Sequence, residues 1–173
     1  RCFYALSQDR ADSKRYPAID PMDSYSKYIE YDEFKDYISQ KISDEWIDKI
    51  NRAKNILLRG REAGEQINIL GDDGVPIDYH VSLWKSEVID FGILQQDAFD
   101  EVDYHTPINR QRYMLDIVLN IYDTEFRFDS FEEVRPYFMR VINAIKQMNY
   151  SEYESDNFKK FENELNQILE EQK

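Results

Sequence analysis

The sequence contains few of the residues that build disulfides, tight turns and membrane spans. Cys2 is its single cysteine, so no disulfide can form within the chain, and such cysteine usage fits a reducing, cytoplasmic setting. Only 5 Gly and 5 Pro occur in 173 residues, too few for the many turns of an all-β fold. No apolar run approaches the roughly 20 residues of a membrane-spanning helix.

Basic residues are also scarce, with 22 Lys and Arg against 35 Asp and Glu, which gives a net charge of -13. Such an acidic chain is a poor partner for nucleic acid or an anionic membrane surface. A hydrophobic content of 42% with 13 Tyr and 10 Phe argues against disorder. The length suits one domain with a substantial core.

The charge is unevenly distributed along the chain. Residues 1–28 carry a net charge of +1 and the remainder carries -14. We therefore predict a boundary that separates an N-terminal segment, residues 1–28, from a helical domain, residues 29–173. The chain begins without an initiator Met, and Cys2–Leu6 has the pattern of the end of a buried strand without a sheet partner. A fragment of a longer protein is expected, although processing and an ordinary N-terminal arm are alternatives.

Apolar residues at helical spacing predict an all-α fold, a bundle of about five or six helices that includes a long helical hairpin and follows an extended N-terminal segment. The predicted helices are residues 31–42, a helix from Ser43 to about Leu70, a helix from about Ile77 to Phe91, and helices that begin at Thr106-Pro107, Ser130 and Ser155. The acidic turn 71–76 joins the two arms of the hairpin.

Several local signals refine this prediction. Gly60 and Gly64, four residues apart and flanked by charged residues, predict close packing of a neighbouring soluble helix rather than a membrane dimer motif. Ser130 with Glu133 is the pattern of a capping box. Ser155 is an expected N-cap.

No set of residues for covalent, acid–base or metal chemistry stands out. His80 and His105 lie far apart without a neighbouring cysteine, so a surface or capping role is favoured over metal binding. The sequence has no G-x-x-x-x-G-K-[ST] motif, so it contains no loop that could hold a triphosphate.

The least generic stretch is R-Y-P-A-I-D-P-M-D-S-Y-S-K-Y, from Arg15 to Tyr28. Its two prolines fix φ and remove backbone donors, which predicts a stiff loop rather than a helix or a central strand. Such a loop would present Tyr16 at one end and Tyr25 at the other. An ordinary interdomain linker is the alternative.

This stretch resembles the segment that follows the nucleotide-binding domain in the catalytic chain of rotary ATPases. With the downstream sequence, it is most similar to the A subunit family of V/A-type ATP synthases. The resemblance implies a protein that binds ATP or ADP with Mg²⁺ on an upstream P-loop domain. It also implies B subunits and other A subunits as partners in a hexameric head. The implied position is cytoplasmic and peripheral to the membrane, so that the chain meets the membrane only indirectly, through the complex. The 173-residue chain alone is expected to be inactive.

The family builds an adenine slot from the aromatic residue of its Y-P-A segment and from a Q-Q-N-A-F-D stretch. The resemblance places Tyr16, Gln96, Ala98 and Phe99 in this slot, with the two rings flanking the base. Asp97 stands where the family has Asn, which adds charge beside the slot.

The resemblance also implies a contact with the rotating central stalk through the acidic turn between the hairpin helices, where Asp72, Asp73 and Asp78 lie. The domain would then couple ATP hydrolysis or synthesis to stalk rotation and ion transport. A plain surface turn is the alternative for this element. For the whole chain, the alternative is a free-standing helical interaction module without nucleotide binding.

Overall fold

The computed structural model describes residues 1–172, of which the larger part is helical. The α-helices in this range are α1 Gln8–Asp12, α2 Asp32–Lys41, α3 Trp46–Leu70, α4 Ile77–Ile89, α5 Ile108–Asp123, α6 Phe131–Asn149 and α7 Asp156–Glu170. Two short strands, β1 Cys2–Leu6 and β2 Ile19–Ser26, complete the architecture. The prediction of an all-α bundle is confirmed. Over the described part of the chain, no helix is both long enough and apolar enough to cross a bilayer.

The predicted hairpin consists of α3 and α4, which run antiparallel and are joined by the turn at Asp72–Gly74. Gly60 of α3 faces Ser86 of α4 so closely that a Cβ at this glycine would lie 2.2 Å from the Ser86 Cβ. A Cβ at Gly64 would lie 3.4 Å from Leu83 Cδ1, which is an ordinary van der Waals contact. The prediction of close helix packing is confirmed, and it depends mainly on Gly60.

The core is centred on α6, which packs against α4 on one side and α7 on the other. Val134, Phe138, Val141 and Ile145 of this helix are fully buried. Phe126, from the segment that links α5 to α6, packs edge-on against Phe138 with ring centroids 5.4 Å apart. Helix α6 therefore provides the rigid centre on which the other helices are arranged.

The N-terminal segment departs from the prediction. Strand β1 is mostly exposed rather than buried, and it pairs antiparallel with β2, which lies entirely within the stretch Arg15–Tyr28 that was predicted to be a loop. The register shifts between Phe3 and Ala5 because residues 21–24 of β2 bulge out of the ladder, whereas Asp20 pairs with Ala5. The Asp20 Oδ1 atom accepts the backbone N–H of Met22 at 2.7 Å. Between the two strands lies the short helix α1, which no pattern in the sequence predicted.

The predicted helix starts had different outcomes. Ser155 caps α7 as predicted, because its hydroxyl accepts the Phe158 N–H at 3.2 Å. The capping box at Ser130 is wrong, since the Glu133 carboxylate accepts the N–H of Asp129 instead. Helix α5 begins at Ile108, with Pro107 rather than Thr106 at the N-cap.

We predict that Gly60→Ala destabilises the 173-residue chain by about 1–3 kcal/mol, the usual cost of overpacking. The new methyl group would clash with Ser86, whose Cβ is fixed by its own backbone. This cost exceeds the roughly 0.5–1 kcal/mol that removing a helical glycine gains. Urea denaturation measures the change.

Gly64→Ala is the matched control, because its methyl group has room beside Leu83. It should leave the stability unchanged or raise it slightly, and Ser86→Gly should restore the Gly60→Ala variant. Equal stabilities of the two alanine variants would show that the helices separate easily at Gly60.

Candidate functional site

A cleft of about 470 Å³ lies where the N-terminal segment meets the end of α4, the loop after it and the end of α6. Its lining residues are Tyr16, Phe91, Gln95, Gln96, Asp97, Ala98, Phe99, Asp103, Lys146, Asn149 and Tyr150. The volume falls in the range of small-molecule sites, about 300–1,000 Å³. Aromatic rings on several sides suit a flat ligand.

The four residues predicted for the base slot, Tyr16, Gln96, Ala98 and Phe99, all line this cleft. The backbone N–H of Gln96 donates to the Tyr16 carbonyl at 2.9 Å, so the two distant segments are directly joined. Tyr16 is 54% exposed and Phe99 is 99% exposed. The structure thus brings the two rings to one cleft, while their role toward a base remains a prediction.

The loop that presents Phe99 is held by its own aspartates. Asp97 Oδ1 accepts the Phe99 N–H at 2.9 Å, and Asp103 Oδ2 accepts the Asp97 N–H at 2.7 Å. Asp100 Oδ1 accepts the N–H groups of Val102 and Asp103. Burial raises the pKa of the Asp103 carboxyl, although its hydrogen bond from Asp97 opposes the shift. Phe99 is therefore exposed on an ordered loop.

A buried arginine supports the floor of the cleft. Arg110 is 1% exposed and donates to the backbone carbonyl of Asn149, at the end of α6. Asn149 in turn donates through Nδ2 to the Gly92 carbonyl at 2.9 Å, just before the loop that carries Phe99. Burial lowers the pKa of Arg110, and the charge of Asp103 partly offsets the change. This chain of contacts fixes the loop to α6.

Five lining residues were not predicted as site residues from the sequence: Phe91, Asp103, Lys146, Asn149 and Tyr150. The Phe91 ring has two cations near it, with Arg15 Cζ 5.0 Å and Lys146 Nζ 4.7 Å from its centroid. The spacing of Phe91 in the sequence indicates only an apolar helix stripe. Lys146 and Tyr150 are four residues apart on α6, which places them on one helix face, but nothing local in the sequence connects that face to the loop.

The N-terminal segment is fixed to the bundle by a cluster of two arginines and two carboxylates. Arg10 donates to both oxygens of Asp90 at 2.9 and 2.8 Å. Arg15 donates to both oxygens of Glu87 at 3.1 and 2.7 Å and to Asp90 at 2.7 Å. Burial raises the pKa of Glu87 despite the charge of Arg15. The position of Tyr16 is thereby set by its neighbour Arg15.

The predicted stalk-contacting acids Asp72, Asp73 and Asp78 are all exposed near the tip of the hairpin. His80 is 6% exposed. Its Nε2 lies 3.1 Å from the Asp72 carbonyl and its ring stacks on Phe131 at 5.1 Å. A surface role for this histidine is therefore wrong, whereas its contact with the turn carbonyl is of the capping type. Within residues 1–172, no three His, Cys, Asp or Glu side chains are grouped to hold a metal.

Comparison with known proteins identifies the family of the domain. Residues 35–133, more than half of the chain, match the family described as the C-terminal domain of V and A type ATP synthase. The chain belongs to this family. Membership confirms the resemblance found in the sequence and favours that interpretation over a free-standing interaction module.

Relatives of this V/A-type C-terminal domain are considerably longer than the chain. It is 36% identical over 170 residues to the V-type ATP synthase alpha chain of Protochlamydia amoebophila, a match that covers 98% of this chain and 28% of the relative. The alpha chain of Chlamydia abortus is 37% identical over 157 residues, which cover 91% of this chain and 26% of the relative. The chain thus spans about a quarter of the length of these relatives.

A solved structure of an ATP synthase subunit from Nanoarcheaum equitans, NeqB, is also similar to this V/A-type domain. It is 23% identical in sequence and has a TM-score of 0.48. The match covers 72% of this chain and 28% of that one.

We predict that Asp90→Asn loosens the N-terminal segment, because breaking a buried ion pair costs about 3 kcal/mol or more. Arg10 and Arg15 would lose their shared partner, whose side chain is 10% exposed. Amide hydrogen exchange in β1 and β2 should accelerate by on the order of 100-fold. Mass spectrometry of exchanged peptides measures this effect.

The control is Asp32→Asn, which removes the exposed pair between Asp32 and Lys35. Exposed pairs contribute roughly 0–1 kcal/mol, so exchange in the strands should stay at the parent rate. If the two variants behaved alike, the arginine cluster would not hold the segment.

Proposed function

We propose that this domain forms one wall of the adenine pocket in the catalytic A subunit of a rotary V/A-type ATPase and couples that pocket to rotation of the central stalk. The observation that carries the proposal is the nearly complete exposure of Phe99, at 99%, beside a cleft that also contains Tyr16. An ordered, fully exposed phenylalanine at a cleft is suited to be covered by a ligand.

The chemistry of the cleft fits the base of a nucleotide rather than its phosphates. Its rings offer faces for stacking, worth roughly 1–3 kcal/mol per base. The sequence has no phosphate-binding loop, so the phosphates and Mg²⁺ of ATP or ADP would be held by an upstream domain. The isolated 173-residue chain would not hydrolyse ATP.

The boundary at residue 28 is proposed from the charge distribution of the sequence. Residues 1–28 would be the end of the nucleotide-binding domain and a proline-stiffened connector, and residues 29–173 the C-terminal helical domain. Arg10 and Arg15 hold the connector to α4, and Gln96 holds Tyr16 through its backbone. A movement of the helical domain would therefore carry both walls of the cleft with it, relative to the nucleotide-binding domain.

The hairpin suits the transmission of force. Helix α3 has 25 residues, which corresponds to a length of about 37 Å, and the close contact of Gly60 with Ser86 keeps its two arms together. The exposed acids at the tip provide charge that can contact a stalk without locking to it, and Ile69 and Leu70 beside them add apolar area, at 73% and 56% exposed. The proposed partners are B subunits and other A subunits of a hexameric head, together with the central stalk, in a complex on the cytoplasmic side of the membrane.

We predict that Tyr16→Ala and Phe99→Ala each weaken nucleotide binding to the assembled ATPase by roughly 1–3 kcal/mol, the value of a lost base–aromatic stack. Equilibrium titration with a fluorescent ATP analogue measures the affinity. Tyr104→Ala is the control, since Tyr104 is 61% exposed but does not line the cleft. Unchanged affinity in both cleft variants would remove these residues from the site.

We predict that the combined change Asp72→Asn, Asp73→Asn and Asp78→Asn weakens binding of the stalk to the assembled head. Exposed charge contacts contribute about 0.2–1 kcal/mol each, so the loss should be roughly 1–3 kcal/mol in total. Stalk affinity and ions transported per ATP are the measurements, and ATP affinity should stay unchanged.

The control for this variant removes equal charge elsewhere, through Asp36→Asn, Asp48→Asn and Glu164→Gln, all at exposed positions of other faces or helices. This control should bind the stalk normally. Equal losses in the two triple variants would indicate a general charge effect and no specific contact at the hairpin tip.

A further inference from the structure

Besides Asp103, whose carboxylate already accepts the Asp97 N–H, two charged side chains of opposite sign line the cleft, and neither is neutralised by an ion pair in the part of the chain that the structure describes. They are Asp97, on the loop after α4, and Lys146, on α6. Resting on the proposed function, we propose that this pair recognises the base as a 6-aminopurine. Asp97 accepts a hydrogen bond from the exocyclic amine, and Lys146 donates one to the ring nitrogen N1.

The hydrogen bonds of Asp97 leave acceptor capacity free. Its Oδ1 accepts the Phe99 N–H at 2.9 Å, and its Oδ2 has only a long contact with the Tyr150 hydroxyl, at 3.4 Å. An ionised carboxylate has about four acceptor sites and no donor. The group can therefore accept an amine at the rim of the cleft, while it repels a carbonyl oxygen.

Lys146 supplies the complementary donor. Its ammonium nitrogen lies 4.7 Å from the centroid of the Phe91 ring, and across residues 1–172 it has no carboxylate within ion-pair distance. Lys146 lies one helical turn before Tyr150, the residue that reaches Asp97. The donor and the acceptor therefore approach the cleft from the two elements that enclose it.

The order of donor and acceptor distinguishes the purines. Adenine presents an amine beside an unprotonated N1, whereas guanine presents a carbonyl beside an N1–H, so both contacts are reversed. An asparagine at position 97 could turn its amide and donate to the guanine carbonyl. Asp97 stands where the resembled family has Asn, and a carboxylate cannot make this adjustment. Its presence therefore adds discrimination against guanine.

The test compares matched nucleotides on the assembled ATPase by equilibrium binding. Purine riboside triphosphate lacks the amine of ATP, and 1-deaza-ATP lacks N1. The parent protein should bind each about 10-fold more weakly than ATP, the usual effect of a hydrogen bond to a charged group. In Asp97→Asn the amide oxygen can still accept from the amine but carries no charge, so the penalty for the missing amine should fall to about 3-fold, and GTP should gain relative to ATP.

In Lys146→Met the penalty for the missing N1 should fall in the same way, while the penalty for the missing amine is kept. Glu101→Gln is the control, because Glu101 is exposed on the same loop but does not line the cleft. It should keep both penalties. A merely structural role of Asp97 or Lys146 would weaken all nucleotides equally, and such a result would overturn the inference.

The variants Tyr16→Ala and Phe99→Ala separate this inference from the proposed function. If they weaken all purine nucleotides while Asp97→Asn leaves the amine penalty at its parent value, the pocket is correct and the recognition by Asp97 is wrong. If they leave every affinity unchanged, the adenine pocket is wrong and the inference fails with it.

Discussion

The cleft depends on the ion pairs that join the N-terminal segment to α4. Asp90 accepts hydrogen bonds from both Arg10 and Arg15, and it also begins the turn that leads into the loop of Gln96 and Phe99. Arg15 immediately precedes Tyr16. Both walls of the cleft are therefore positioned from one buried carboxylate, so Tyr16 and Phe99 line the same cleft although they are distant in sequence.

These ion pairs fix the position of the N-terminal segment on α4 more than they add to the free energy of unfolding. Burial opposes the charge of Glu87 and raises its pKa even beside Arg15. Burial also opposes the charge of Arg15, but the hydrogen bonds and charges of Glu87 and Asp90 outweigh it and raise the pKa of Arg15. A buried pair of this kind contributes little net free energy when intact, yet its disruption is costly. The segment is thereby held in one register against α4, since any other position would leave buried charges without partners.

Short-range patterns in the sequence predicted much of the fold, and the family resemblance placed Tyr16 and Phe99 together, whereas other contacts between distant segments were missed. The spacing of Gly60 and Gly64 predicted a close helix contact, and Ser155 predicted an N-cap. Each of these signals depends on a few neighbouring residues. The pairing of β1 with β2 and the burial of His80 depend on segments brought together by folding. Lys146 reached the cleft for the same reason, and no local pattern could have indicated it.

Helix α4 connects the two elements to which we assign functions. Asp78 lies in its first turn near the hairpin tip, and Asp90 follows its last residue at the cleft, so its 13 residues span about 20 Å between them. The helix cannot slide easily along α3, because the backbone of Gly60 contacts Ser86. If the tip contacts the stalk as proposed, a displacement there would be carried by a rigid helix to Asp90, and through it to Tyr16 and Phe99.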